Sequence, residues 1–356
     1  MRKISLFMLY LLLSTSAGAV VDITKFKFKD FDLDLSAGYH QAFWTPYFGQ
    51  ELMEVDTEGL QSYNIGVGTS YLKNNLLFFQ YERPFKTNPE QQSIIERNAN
   101  ANPGMEKLSF GLSPSVLIKI YKVKNPFLKM LLSTRYVNSK EIFFGKAKAK
   151  KAFAYVSKNS TVTDNGDGTV TFSSLERFSA GETLSFNTEF KDTSITMALP
   201  FELFSGIDIR FGYYKVKWFR PSDYDKTWIT VSDSLQVVYD TKYESNGAEF
   251  TIESNDITSP GFNFIFNARW GVDNNVGNVV DQDFKLENNK DLYYASGILN
   301  LWYNWYLKGK VKDGLYATLG GSVSRRAFTT ELSLFSGGVG AREDIGRVYG
   351  RIGYIF

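Results

Sequence analysis

Arg347-Val348-Tyr349-Gly350-Arg351-Ile352-Gly353-Tyr354-Ile355-Phe356 ends the sequence and sets the pattern around which the rest of the chain is organised. Every second residue back from the end, Phe356, Tyr354, Ile352, Gly350 and Val348, is apolar or small. The opposite face, Ile355, Gly353, Arg351, Tyr349 and Arg347, mixes small, amphipathic and cationic residues. Period two belongs to a strand. Ten such residues match the length a tilted strand needs to cross a bilayer within a barrel. A half-buried strand of a soluble sheet alternates in the same way, so the rest of the chain has to decide.

The same alternation recurs upstream. From Phe31 to Phe43, Phe31, Leu33, Leu35, Ala37 and Tyr39 oppose Asp32, Asp34, Ser36, Gly38 and His40. Trp44, Pro46, Tyr47 and Phe48 follow, an aromatic cluster suited to a lipid–water boundary. Further strands are expected at 60–72, 76–85, 108–120, 128–136, 184–201, 207–214, 262–270, 293–305 and 315–323. Within 184–201 the apolar phase slips at Lys191–Ser194, as a bulge or an added turn would make it do. Residues 219–260 are expected to hold one membrane strand or an external hairpin, with Asn246-Gly247 as the hairpin signal. Short turns at 73–75, 122–126 and 308–314 interleave with long polar segments at 86–106, 138–182 and 273–290.

The apolar faces stay free of charge along their length, which a soluble sandwich has no reason to do. The expected fold is therefore all-β, a transmembrane antiparallel up-and-down barrel with short periplasmic turns and long extracellular loops. Reading the slip as a bulge and 328–346 as a loop gives twelve strands; splitting both gives fourteen.

Met1 to Ala19 reads as a cleaved secretory signal: Arg2 and Lys3, an apolar run from Ile4 to Leu13, and Ala17-Gly18-Ala19. Residues 20–30 are expected to form a short periplasmic segment and 31–356 a single barrel domain. There is no cysteine, which rules out thiol chemistry and thiolate metal sites. The 40 basic side chains include Arg2 and Lys3, so 38 remain against 38 acidic ones. A near-neutral mature chain gives nucleic acid no electrostatic handle.

With Phe356 last and Tyr354 two places before it, the terminal stretch resembles the C-terminal strand of bacterial outer-membrane β-barrels, porin-like in general class. That resemblance implies Sec-dependent export and residence in the outer membrane of a Gram-negative cell, among its lipid and lipopolysaccharide. It also implies that barrel-assembly machinery reads Val348, Gly350, Ile352, Tyr354 and Phe356.

His40 is the one histidine. Outer-membrane phospholipases and lipid A deacylases are similar in class. Their pattern puts a serine two residues beyond a lipid-facing histidine, where this chain has Ala42 on a strand whose His40 faces inward. Outer-membrane proteases pair histidine with clustered acids, and only Asp32 and Asp34 share its face. No catalytic, metal or cofactor-binding set follows. Inward faces carry Glu82, Lys119, Arg135, Glu202, Asp208, Arg210, Arg269 and Arg351, either as a selective constriction or as a salt-bridged plug. Lys146, Lys148, Lys150 and Lys151 are placed in an external loop, and Asp164-Asn165-Gly166-Asp167-Gly168 in a tight hairpin. The expected function is a pore or uptake channel for small solutes. The alternatives are a plugged barrel acting through its external loops and a lipid-directed hydrolase using His40.

Overall fold

In a computed structural model the chain is described from residue 31 to 356, apart from 48–51, 57–58, 72–73, 87–93, 98–101, 158–159, 165–169, 201–205, 224–235, 255–259, 274–277, 280–292, 308–313 and 330–340. The expected signal (1–19) and periplasmic segment (20–30) lie outside the described residues, as do Phe48 and Glu202. Twelve long strands form the wall. They are β1 (Phe31–Tyr47), β2 (Leu60–Tyr71), β3 (Asn74–Pro84), β4 (Gly104–Leu112), β5 (Arg135–Ala149) and β6 (Thr183–Ala198). The others are β7 (Ile207–Asp223), β8 (Gln236–Ser254), β9 (Gly261–Asp273), β10 (Tyr293–Tyr306), β11 (Gly314–Thr329) and β12 (Arg342–Ile355). Each pairs antiparallel with the next, and β12 pairs with β1 from Ile355↔Asp34 to Arg342↔Tyr47, so the barrel is closed.

The register fixes the barrel's dimensions. From Leu33 it passes through Thr69, Leu77, Leu112, Tyr136, Ile195 and Tyr213. It continues through Ala248, Trp270, Ala295, Ala327 and Arg342, returning to β1 at Tyr47, fourteen residues beyond Leu33. Fourteen residues at about 3.3 Å, against twelve strand spacings of about 4.8 Å, tilt the strands by roughly 40° and set a backbone radius of roughly 12 Å. Each residue then climbs roughly 2.6 Å along the axis, and each step to the next strand roughly 3 Å.

Large apolar side chains face outward all around. Leu319 is 54% exposed, Val323 61% and Ile352 62%, which water would penalise and lipid does not. On that lattice the band spans about 25 Å, from Trp305 and Tyr354 at the short-turn end to Trp270 and Phe43 at the other. Val348, Tyr354 and Phe356 stand in the band, while Tyr349 and Arg351 line the lumen. The architecture is that of an outer-membrane β-barrel.

Five sequence expectations need correction. Residues 113–134 are not strand but a connection with two short helices, α1 (Val116–Ile120) and α2 (Pro126–Leu132). Asn125 caps α2, its Oδ1 accepting from the Leu128 N–H at 3.1 Å, and Pro126 stands at the first helical position, where its missing N–H costs nothing. Lys119 is thus exposed on α1 at the short-turn end rather than in the lumen. The slip at 191–194 is neither a bulge nor a turn, because β6 runs unbroken through it. Instead the apolar residues change sides, Leu184, Phe186 and Phe190 facing inward and Ile195 and Met197 outward. Asn246-Gly247 is mid-strand in β8, opposite Lys215 and Tyr214. The first twelve residues of the predicted loop 138–182, residues 138–149, belong to the β5 wall, which carries Lys146 and Lys148. Finally β11 and β12 reach to Thr329 and from Arg342, shortening the predicted loop 328–346. The turn expected at 164–168 lies, after Asp164, outside the described residues, while the strands flanking it pair, Val170 with Asp164 and Phe172 with Val162.

At the long-loop end, chain outside the wall folds inward. Met53–Asp56 pairs with the end of β5, Ile95–Glu96 with β6, and Phe153–Val156 runs parallel to Gln236–Tyr239 of β8 and antiparallel to Glu176–Phe178. Their side chains meet inward residues of the wall in an apolar cluster. Trp44 stacks on Phe143 at 4.9 Å, Phe153 on Phe178 at 5.0 Å, and Phe186 packs beside Trp44. Gly145 lets Phe186 lie flat on the wall; a Cβ there would stand 2.3 Å from its ring. Phe186 is fully buried and has nowhere to go, so Gly145→Ala is expected to cost about 1–3 kcal/mol, read by urea unfolding in detergent.

Candidate functional site

The lumen is the candidate site, and it has two halves. The inner half, toward the short turns, holds a cavity of about 390 Å³ running from Asp32 and Ile355 at the rim to Lys107 and Arg347 at mid-barrel. Its wall is hydroxyl- and amide-rich: Ser36, Asn300, Asn304, Thr318, Tyr316 and Tyr349, with the Trp302 ring. Tyr316 donates to Asp34 at 2.8 Å and Tyr349 to Asn300 at 2.8 Å, so the wall's polar groups are held in place.

A layer of charge closes the cavity. Glu141 of β5 accepts from Arg326 of β11 at 3.0 Å and from Arg347 of β12, with Lys107 of β4 at 3.7 Å. These arginines reach it from the opposite wall, so the pairs span the lumen. Arg326 also donates to Glu343, which accepts from Trp44 Nε1 at 2.8 Å, and lies 3.8 Å over the Phe190 ring. Opposite charges inside a barrel persist only when paired this closely, since each alone carries a heavy desolvation cost.

Above the layer sits the apolar plug. Tyr155 anchors it at depth, donating to Asp240 at 2.7 Å and accepting from the Ile95 N–H at 3.3 Å. Burial, then the neighbouring carboxylate, pushes the Tyr155 phenol upward, so it stays a donor. Arg220 of β7 clamps the mouth, donating to the carbonyls of Tyr47 at 2.8 Å and Arg342 at 3.2 Å on the far wall.

The residues singled out from sequence divide among these parts. Glu82 is buried at the head of the cavity, where Ser62 donates to it and His40 Nδ1 lies 3.1 Å away. Glu82 thus stands between serine and histidine, the reverse of a nucleophile relay, in which histidine is central. Arg351 lines the cavity and makes no ion pair among the described residues. Arg269 bonds Asp192 at 2.8 Å and lies 3.2 Å from Glu249, a second cross-linked cluster. Arg135 bonds Glu253 at 2.9 Å, with Arg210 3.7 Å from the same carboxylate, near the short-turn end. Asp208 stands at that rim, opposite Glu253 in register. Sequence reading did not find Glu141, Arg326, Glu343 and Lys107. Their signal is charge on the inward phase of a strand, and for Glu141 the polar run from 138 onward hides that phase by reading as loop.

No family model matches the chain, and no curated protein matches it. Among solved structures it overlaps an outer-membrane channel from Pseudomonas putida F1 at 11% identity, covering 92% of this chain and 96% of that one, with a TM-score of 0.31. The CymD monoaromatic hydrocarbon channel overlaps at 8% identity, 91% and 87% coverage and a TM-score of 0.29. The outer-membrane protease OmpT from Escherichia coli overlaps at 8% identity, 92% and 96% coverage and a TM-score of 0.30. Overlaps this loose match no residue to another, and the fold rests on this chain's own strand pairing.

Proposed function

We propose that this protein is a bacterial outer-membrane channel for small polar solutes that rests closed at its long-loop end. The observation that carries the reading is the half-open lumen. A hydrated-type wall leads from the short-turn rim to mid-barrel and stops at paired charges and at segments that are not part of the wall. A barrel built only as a scaffold has no use for 390 Å³ of polar interior. The long-loop end faces outside and the short-turn end the periplasm, as in single-chain bacterial barrels. The function is transport rather than catalysis, given the geometry around His40.

Planar-bilayer recording tests this reading. Brief openings from a closed baseline are expected of the native barrel, with sustained current once the plug is removed. Silence from both, with the barrel folded, overturns it. That silence would favour the second reading, a permanently plugged barrel acting through its outer loops, which the Arg220 clamp and the aromatic stacking support.

Assembly is read from the terminal strand. The Phe356 N–H donates to the Leu33 carbonyl at 2.9 Å, and its ring packs 4.7 Å from that of Tyr354 on the lipid face. Deleting Phe356 is expected to lower the yield of folded barrel in cells several-fold, scored by heat-modifiable gel mobility, while refolding into detergent stays near normal. Undiminished assembly in cells would refute a role for this residue in the signal.

A further inference from the structure

The outward face at the upper edge of the apolar band is not uniform. On β5, β6 and β7, Lys140, Lys191 and Lys217 stand side by side in register. Lys215 follows one outward position below Lys217, and Lys242 of β8 stands opposite Phe219. Two carboxylates lie among them, each held by two lysines. Glu189 is 2.9 Å from Lys140 and 2.6 Å from Lys191, and Glu244 is 2.8 Å from Lys217 and 2.5 Å from Lys242. Lys215 makes no ion pair among the described residues. Five cations against two anions leave an excess of three positive charges on four adjacent strands. Elsewhere at this level Arg83 is offset by Glu106, and Arg325 and Arg342 share Asp344.

We propose that this patch binds the phosphate groups of a glycolipid in the outer leaflet. The level fits, because the barrel lattice puts Lys140, Lys191, Lys215 and Lys217 about 22–28 Å above Leu33, against an apolar band about 25 Å tall. The chemistry fits as well. An ammonium has three donors and each ion pair uses one, so the doubly held carboxylates fix the lysines while leaving donors for phosphate oxygens. Exposed pairs of this kind add little to folding, so stability does not account for their clustering. The Phe219 ring, 5.5 Å from the Lys191 ammonium and 6.0 Å from that of Lys242, helps to hold these two cations in place from the loop side. The choice of leaflet rests on the membrane orientation proposed above, and binding itself does not depend on conduction.

The test uses the full chain in detergent, with lipid A bearing its phosphates and fully dephosphorylated lipid A as probes, followed by native mass spectrometry. Wild type is expected to hold the phosphorylated form at least about tenfold more tightly than the dephosphorylated one, with affinity falling as salt rises. The Lys191→Gln/Lys215→Gln/Lys217→Gln variant is expected to lose that preference. The Arg83→Gln/Arg325→Gln variant, from other sectors of the rim, is expected to keep it. Equal binding of both lipids by wild type overturns the proposal, and so does equal loss in both variants, which would mean diffuse rim charge. Heat-modifiable mobility confirms that each variant is folded. A barrel that binds this lipid but never conducts would disprove the channel and leave the patch standing.

Discussion

Excising residues 151–179 and joining the ends through a short Gly-Ser linker is expected to turn a mostly silent barrel into a steadily conducting one. The cut removes Phe153–Val156 and Glu176–Phe178, two of the inner segments of the plug, and leaves the β5–β6 wall paired up to Thr183↔Lys148. It also removes Tyr155, the donor that ties this segment to Asp240. What remains is a barrel of roughly 12 Å backbone radius constricted by inward side chains. Sustained current well above the closed baseline of the native barrel is the expected gain. A folded excised barrel that stays silent would contradict the channel, since the paired charges around Glu141 would then have to open by themselves.

Replacing Glu141 should produce the largest loss of stability. Glu141→Leu leaves Lys107, Arg326 and Arg347 facing one another across the lumen without the carboxylate they share. Breaking a buried set by deleting one partner costs about 3–5 kcal/mol, a large fraction of the roughly 5–15 kcal/mol that holds a typical domain. Urea unfolding followed by tryptophan fluorescence reads the loss, since Trp44 touches the same network through Glu343. Adding Arg347→Met to Glu141→Leu should restore part of it, because one stranded charge is then gone. A loss under about 1 kcal/mol would mean that water already solvates the layer.

The wall was legible where one face meets lipid and the other a polar lumen, because period two then shows without interference. β1, β2, β10 and the terminal strand are of this kind. It was illegible where both faces are apolar at different heights. In β6, Phe186 and Phe190 serve the plug while Ile195 and Met197 serve the membrane, so one strand read as two phases. Helices α1 and α2 were missed because Val116, Ile118 and Ile120 alternate as a strand would, although Asn125-Pro126 was a helix start in plain view. The twelve-strand count nonetheless matches, with β5 in place of the strand expected at 128–136. Inward charges were recognisable as a class from strand phase. Their partners were not, because Glu141 meets Arg326 and Arg347 only once the barrel closes and brings 185 and 206 residues of separation to contact.

The gate can be tested directly with a reversible lock, since the chain has no cysteine to interfere. Ala154 of the plug lies opposite Val237 of β8 in register. Neighbouring strands about 4.8 Å apart are within disulfide reach. Single-channel recording of the Ala154→Cys/Val237→Cys barrel should show no openings while oxidised and restored openings within one membrane after reduction. Unchanged openings in the oxidised barrel, or silence before and after reduction, would contradict a channel gated by this segment.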